Sequence, residues 1–125
     1  MNEKLTYIAI PYTDKNKEVI NQRIERFCEI DSILNLNGVL TVSPILKHLL
    51  FSYNKKLPTD WNFWKNLSYR LLSSSDILLV IKLDNWENSV GVKAEIDYAN
   101  SNDIPIFYFE NDGDIMELLI KLKNQ

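Results

Sequence analysis

The run Ile77 to Leu83 (ILLVIKL) constrains the fold more than any other stretch of the chain. Almost continuously apolar, it predicts a buried strand. It ends in a polar loop, DNWENSVG, that holds Ser89 and Gly91. That loop opens into an amphipathic segment in which Val92, Ile96 and Ala99 recur at i, i+4 and i+7, the period of a buried helix face. Glu95 lies three residues after Val92 and four before Ala99, so it is expected to point inward with them. Ligands of parallel α/β sheets sit beyond the carboxyl ends of the strands. The segment therefore places an inward acid, a capping hydroxyl and a glycine where a ligand is expected.

The rest of the chain repeats the strand-then-helix order. Leu5 to Ile10 (LTYIAI) reads as a first buried strand stopped by Pro11, and Val39 to Val42 as a second closed by Ser43-Pro44. Between them, Glu18 to Leu36 is helical, with Ile20, Ile24, Phe27 and Leu34 roughly along one face and Asn37-Gly38 as its end. Ile45 to Phe51 is expected to form a short helix, and Asn54 to Asp60 a polar loop. Trp61 to Ser74 is helical, with Trp61, Trp64, Ser68 and Leu71 on one stripe. Ile104 to Phe109 is a fourth strand, and Asp114 to Leu122 a closing helix after a turn at Gly113. Strands separated by helices imply βαβ units and a mainly parallel sheet covered on both faces. The expected architecture is α/β: one small Rossmann-like three-layer sandwich spanning residues 1–125. It lacks both the GxGxxG loop of dinucleotide sites and the GxxxxGK[ST] loop of P-loop NTPases.

Composition narrows the partners. A net charge of −3 argues against a nucleic-acid polymer, whose phosphates demand a basic face. A small nucleotide needs only one or two cations or a few backbone N–H groups. One cysteine, Cys28, and one histidine, His48, leave no disulfide and no metal-site spacing. No apolar run approaches membrane-spanning length, and MNEKL has no signal-peptide core, so a cytoplasmic protein without a membrane partner is expected.

Each candidate residue has a plain structural reading beside the functional one. Glu95 either reacts or snorkels from the edge of its stripe. Ser89 caps the following helix, and the same hydroxyl with neighbouring N–H groups suits a phosphate. Gly91 permits a turn or a close ligand approach. Tyr7 is a core tyrosine or a ligand contact near the end of its strand, with Tyr12 and Thr13 at the pocket mouth. Arg23 is a solvated surface residue unless it faces the first loop. His48, with no acid near it in sequence, reads as packed.

These residues resemble a known family. YIAIPYT at the start, Arg23, SPI at Ser43 to Ile45, and SD-ILLVIKL-DNW-ENSVGVKAEIDYA are similar to the nucleoside 2-deoxyribosyltransferase superfamily. The nearest branch comprises short bacterial and phage proteins, and there is a similarity to 2′-deoxynucleoside 5′-phosphate N-hydrolases as well. The likeness spans nearly the whole chain and is most specific in S-x-G-x-x-x-E, Ser89 to Glu95. It implies that Glu95 attacks the anomeric carbon of a deoxyribosyl group, that Tyr7 positions it, and that Ser89 favours a 5′-monophosphate over a nucleoside. It further implies a homodimer, for which Trp61, Phe63 and Trp64 offer an interface if exposed, and no metal or organic cofactor. Ser68 departs from the pattern: the family has an aspartate there that helps protonate the leaving base, and only Asp60 or Asp84 is at hand to substitute from a loop. Two other readings follow, a nucleotide-binding sensor without turnover and a plain interaction domain.

Overall fold

The computed structural model describes residues 3–45, 58 and 60–125. The elements follow the order β1 (Leu5–Ala9), α1 (Lys17–Leu36), β2 (Leu40–Val42), α2 (Trp61–Ser73), β3 (Ile77–Lys82), α3 (Val90–Ser101), β4 (Ile106–Glu110) and α4 (Ile115–Lys123). A single 3-10 turn, Trp86–Asn88, precedes α3. His48, most of the short helix expected from Ile45 and most of the loop before Asp60 lie outside the described residues.

The four strands form one sheet in the order β2-β1-β3-β4, and every pair is parallel. The expected α/β sandwich is what the chain forms. Strand pleating divides the interior into two cores. Ile8, Ile77, Leu79 and Ile81 face α1 and α4, where Phe27, Ile30, Leu34, Leu118, Leu119 and Leu122 cover them. Tyr7, Ala9, Leu78 and Val80 face the other way, onto Leu72 of α2 and Val92 and Ala99 of α3. β3 is buried on both faces, which is why its sequence shows no apolar–polar alternation. Among the described residues no helix is long and apolar enough to cross a membrane.

Each helix start is closed by a side chain of the expected type. Asn16 accepts from Glu18 N at 2.9 Å, Asp60 from Phe63 N at 3.2 Å, Ser89 from Val92 N at 3.2 Å and Asp114 from Met116 N at 2.9 Å. Two stripes differ from expectation. The fully buried face of α1 is Arg23, Phe27, Ile30 and Leu34, with Ile20 and Ile24 only half-buried. That of α2 is Trp64, Ser68 and Leu72, with Trp61 and Leu71 half-buried. The α1 shift has a physical cause: the guanidinium of Arg23 finds main-chain acceptors at the sheet's end, so its helix turns a cation inward at a position usually left to an aliphatic side chain.

Candidate active site

The chain moves from β1 to β2 on one side and reaches β3 on the other, so the order reverses between β1 and β3. Beyond the carboxyl ends of these strands the loops diverge and leave a crevice, the usual ligand position in such sheets. A cavity of about 740 Å³ occupies it, within the range of small-molecule sites. Its walls come from the segment after β1 (Pro11 to Asp14), the turn after β2 (Ser43 to Ile45), the first turn of α2 and the loop that starts α3.

The Tyr7–Glu95 pair arises from the pleat. Tyr7 pairs with Leu78 across β1 and β3 and points to the face on which α3 packs. On α3 the buried stripe is Val92, Glu95 and Ala99, so the carboxyl group is carried to the phenol. Tyr7 is 0% exposed and Glu95 5% exposed, and the Tyr7 hydroxyl donates a short hydrogen bond to Glu95 Oε2. Glu95 does not snorkel; it lines the cavity. Its other oxygen, Oε1, accepts no hydrogen bond among the described residues. Burial pushes the Glu95 carboxyl up to about 8, and the phenol bond only partly opposes this. Tyr7 is held above the ordinary phenol range, first by burial and then by the neighbouring carboxylate.

Ser68 lines the same cavity from α2 and is 1% exposed. Of the two loop acids, Asp60 lines the cavity, where its carboxylate caps α2; Asp84 does not, and contributes its backbone carbonyl to Arg23.

Arg23 faces the first loop, the condition under which it was expected to join a site. It is 5% exposed, and Nη1 donates to Tyr12 O at 3.3 Å and Thr13 O at 3.1 Å, while Nη2 donates to Asp84 O at 2.8 Å. Asp14 lies 3.8 Å away. One side chain thus joins the loop after β1 to the loop after β3. Arg23 Nε is buried with no hydrogen-bond partner among the described residues.

At the start of α3, Ser89 lines the cavity and caps the helix at once. The cap takes up the Val92 N–H, and Ser89 N bonds Trp86 O at 3.2 Å. The N–H groups of Val90 and Gly91 have no partner among the described residues, as first-turn donors of a helix do. Gly91 has a packing role too: a Cβ there would stand 3.3 Å from Cε3 of Trp61, so the missing side chain lets the indole close against α3.

Tyr12, Arg23, Ser68, Ser89, Gly91 and Glu95 therefore line one cavity, and Tyr7 holds Glu95 from beneath. Reading the sequence missed Asn85, Asn88, Trp61 and Trp64 as cavity residues. Asn85 carried a signal, since asparagine is enriched in the left-handed backbone it adopts (φ 63°). The aromatic cluster offered as an interface is largely turned inward. Trp64 is buried with its Nε1 donating to Pro58 O at 2.7 Å, Trp61 is half-buried, and Phe63 alone is 48% exposed.

Among curated proteins none matches the chain. A family model covers all four strands and the whole cavity wall described above, matching residues 4–111. The chain belongs to that family, described as Domain of unknown function (DUF1937).

Proposed function

We propose that the chain cleaves the N-glycosidic bond of a deoxyribonucleotide or related nucleotide, by hydrolysis or by transfer to another base, with Glu95 as nucleophile. The observation that carries this reading is the Tyr7–Glu95 pair set into a cavity at the β1/β3 reversal, one carboxyl oxygen held and the other open. Oε1 attacks the anomeric carbon as the C–N bond breaks. The bonding pair leaves with the base nitrogen, which takes a proton from solvent or arrives already able to depart. The resulting glycosyl ester is opened by water or by a second base, and the carboxylate is regenerated. Tyr7 neutralises charge on Oε2 and fixes the carboxyl plane. Ser89, with the Val90 and Gly91 N–H groups, receives the phosphate, because a helix N-terminus favours an anion. The resemblance to the nucleoside 2-deoxyribosyltransferase superfamily supports the same roles for Tyr7, Ser89 and Glu95, and carries with it a homodimer.

A second reading, a nucleotide sensor without turnover, draws on two observations. Ser68 stands where an acid would assist the leaving base, and burial favours the protonated form of Glu95 at neutral pH. Incubation with a panel of nucleotides and nucleosides, followed by chromatography of released base and sugar phosphate, separates the two. Base release supports the glycosidase; tight binding of a nucleotide that stays intact supports the sensor. Neither binding nor release from any member of the panel removes both.

A further inference from the structure

β4 closes one side of the sheet, and its ladder has a fixed phase. Leu78 N donates to Pro105 O at 2.9 Å, so Pro105, Phe107 and Phe109 turn their main chains toward β3. Ile106, Tyr108 and Glu110 turn theirs outward. Among the described residues the outward N–H and C=O groups of Ile106 and Tyr108 have no partner. Edge strands are ordinarily guarded by brevity, a bulge, a proline within the strand or an unpaired charge. β4 runs in unbroken register over five residues, and its one charged side chain, Glu110, is held by Lys82 at 2.9 Å. Lys82 also lies over the Tyr108 ring, on the face of the sheet and not across its edge. Tyr108, at the centre of the strand, is 46% exposed. On the other face a groove of about 360 Å³ runs between this edge and α4, with Glu117 and Lys121 on its helix wall.

We propose that this edge is a homodimer interface, in which β4 pairs antiparallel with β4 of a second copy about a two-fold axis through Tyr108 and the two sheets become one. Tyr108 then faces the partner's Tyr108, and Ile106 faces the partner's Glu110, each pair exchanging both main-chain bonds. Phe107 meets the partner's Phe109 on the α4 side, apolar against apolar. Charge complementarity identifies the occupant. A two-fold operator that brings one residue to a second also brings the second to the first. The partner's Lys121 therefore comes beside Glu117, and the partner's Glu117 beside Lys121. An unrelated extended peptide would satisfy the main-chain groups but not this reciprocal pair. The inference does not rest on the glycosidase reading, because no residue of β4 lines the cavity that holds Glu95.

Sedimentation of the full chain over a concentration series tests it, and the mass of two chains is expected. Tyr108→Pro deletes an outward N–H without touching the ladder to β3, so the fold should survive. The dimer dissociation constant should rise roughly 10-fold or more. Should Tyr108→Pro not fold, Tyr108→Lys, which sets a charge at the centre of the edge, decides. Glu117→Lys and Lys121→Glu should each weaken the dimer roughly 2- to 10-fold, and the double exchange should restore it. A wild-type chain that stays monomeric overturns the inference. So does a dimer that the folded Tyr108 variants leave intact, since it joins by another face. A double exchange no tighter than the single ones overturns the two-fold arrangement about Tyr108.

Discussion

At the scale of single residues, Glu95 makes two demands that pull apart. As the proposed nucleophile it must be ionised, yet its burial favours the proton. Glu95→Gln is expected to retain nucleotide binding and lose base release; a variant keeping more than a few per cent of wild-type turnover, measured by base release, would exclude the covalent route. The wild-type kcat/KM for a good substrate should climb with pH around a midpoint near 8, because this ratio reports the free enzyme. Stability should run the other way. Between the ordinary carboxylate range and about 8 the folded chain holds a proton at Glu95 that the unfolded chain has released. With more protons bound in the native state, unfolding free energy falls as pH rises through this window. The slope for one proton cannot exceed about 1.4 kcal/mol per pH unit. Glu95→Gln removes this contribution, so melting curves at several pH values should show the variant gaining on the wild type up to about 8 and not beyond. Parallel curves would mean that Glu95 titrates normally in the folded chain.

At the scale of elements, the start of α3 and the inner face of α1 carry the site. Ser89 is both cap and proposed phosphate ligand, and Ser89→Asp separates the two. Aspartate is a good N-cap, so melting should change little. Its charge should abolish the preference for a 5′-monophosphate over the matching nucleoside, expected at roughly 10- to 150-fold from a contact of about 1.5–3 kcal/mol. Calorimetry showing the same preference in wild type and variant would place the phosphate elsewhere. On α1, Arg23→Lys should lower the melting temperature on the order of 10 °C, because one ammonium cannot reach three carbonyls from two loops. A change within about 1 °C would show that the loops do not depend on the guanidinium. The two helices differ in what could be read from the sequence. On α3 the inward phase of Glu95 followed from Val92 and Ala99 alone, because local periodicity was enough. On α1 periodicity pointed to Ile20 and Ile24. The acceptors that allow Arg23 inside lie 10, 11 and 61 residues away, and no local pattern reveals them. Tyr7 and Glu95, 88 residues apart, met in the sequence only through the family resemblance.

At the scale of the whole molecule, the sheet separates two tasks. The core under α2 and α3 carries the Tyr7–Glu95 pair, while the core under α1 and α4 supplies most of the apolar burial. The family match ends at residue 111, before α4, yet Leu118, Leu119 and Leu122 of that helix cover the sheet beside Phe109 and Ile81. Burying a leucine side chain contributes about 1.5–3 kcal/mol, so the three together contribute roughly 5–9 kcal/mol. The total stability of a small domain is about 5–15 kcal/mol. Cutting the chain after Gly113 should therefore leave a protein that is largely unfolded at 25 °C or aggregates through the exposed sheet face, seen as lost near-ultraviolet dichroism. The three-leucine substitution to alanine in the intact chain should weaken folding in the same direction, through cavities rather than exposure. A truncated chain that melts cooperatively near the wild-type temperature would mean that residues 4–111 close their own core, and that α4 is an accessory to it. The site offers an independent reading of the same experiment. Arg26 of α1 bonds Asn111 on the turn between β4 and α4, its Nε donating to the backbone carbonyl at 3.0 Å. Loss of α4 frees that turn, and the α1 face that orients Arg23 loosens with it. Even a truncated chain that folds should then bind nucleotide more weakly than the full one.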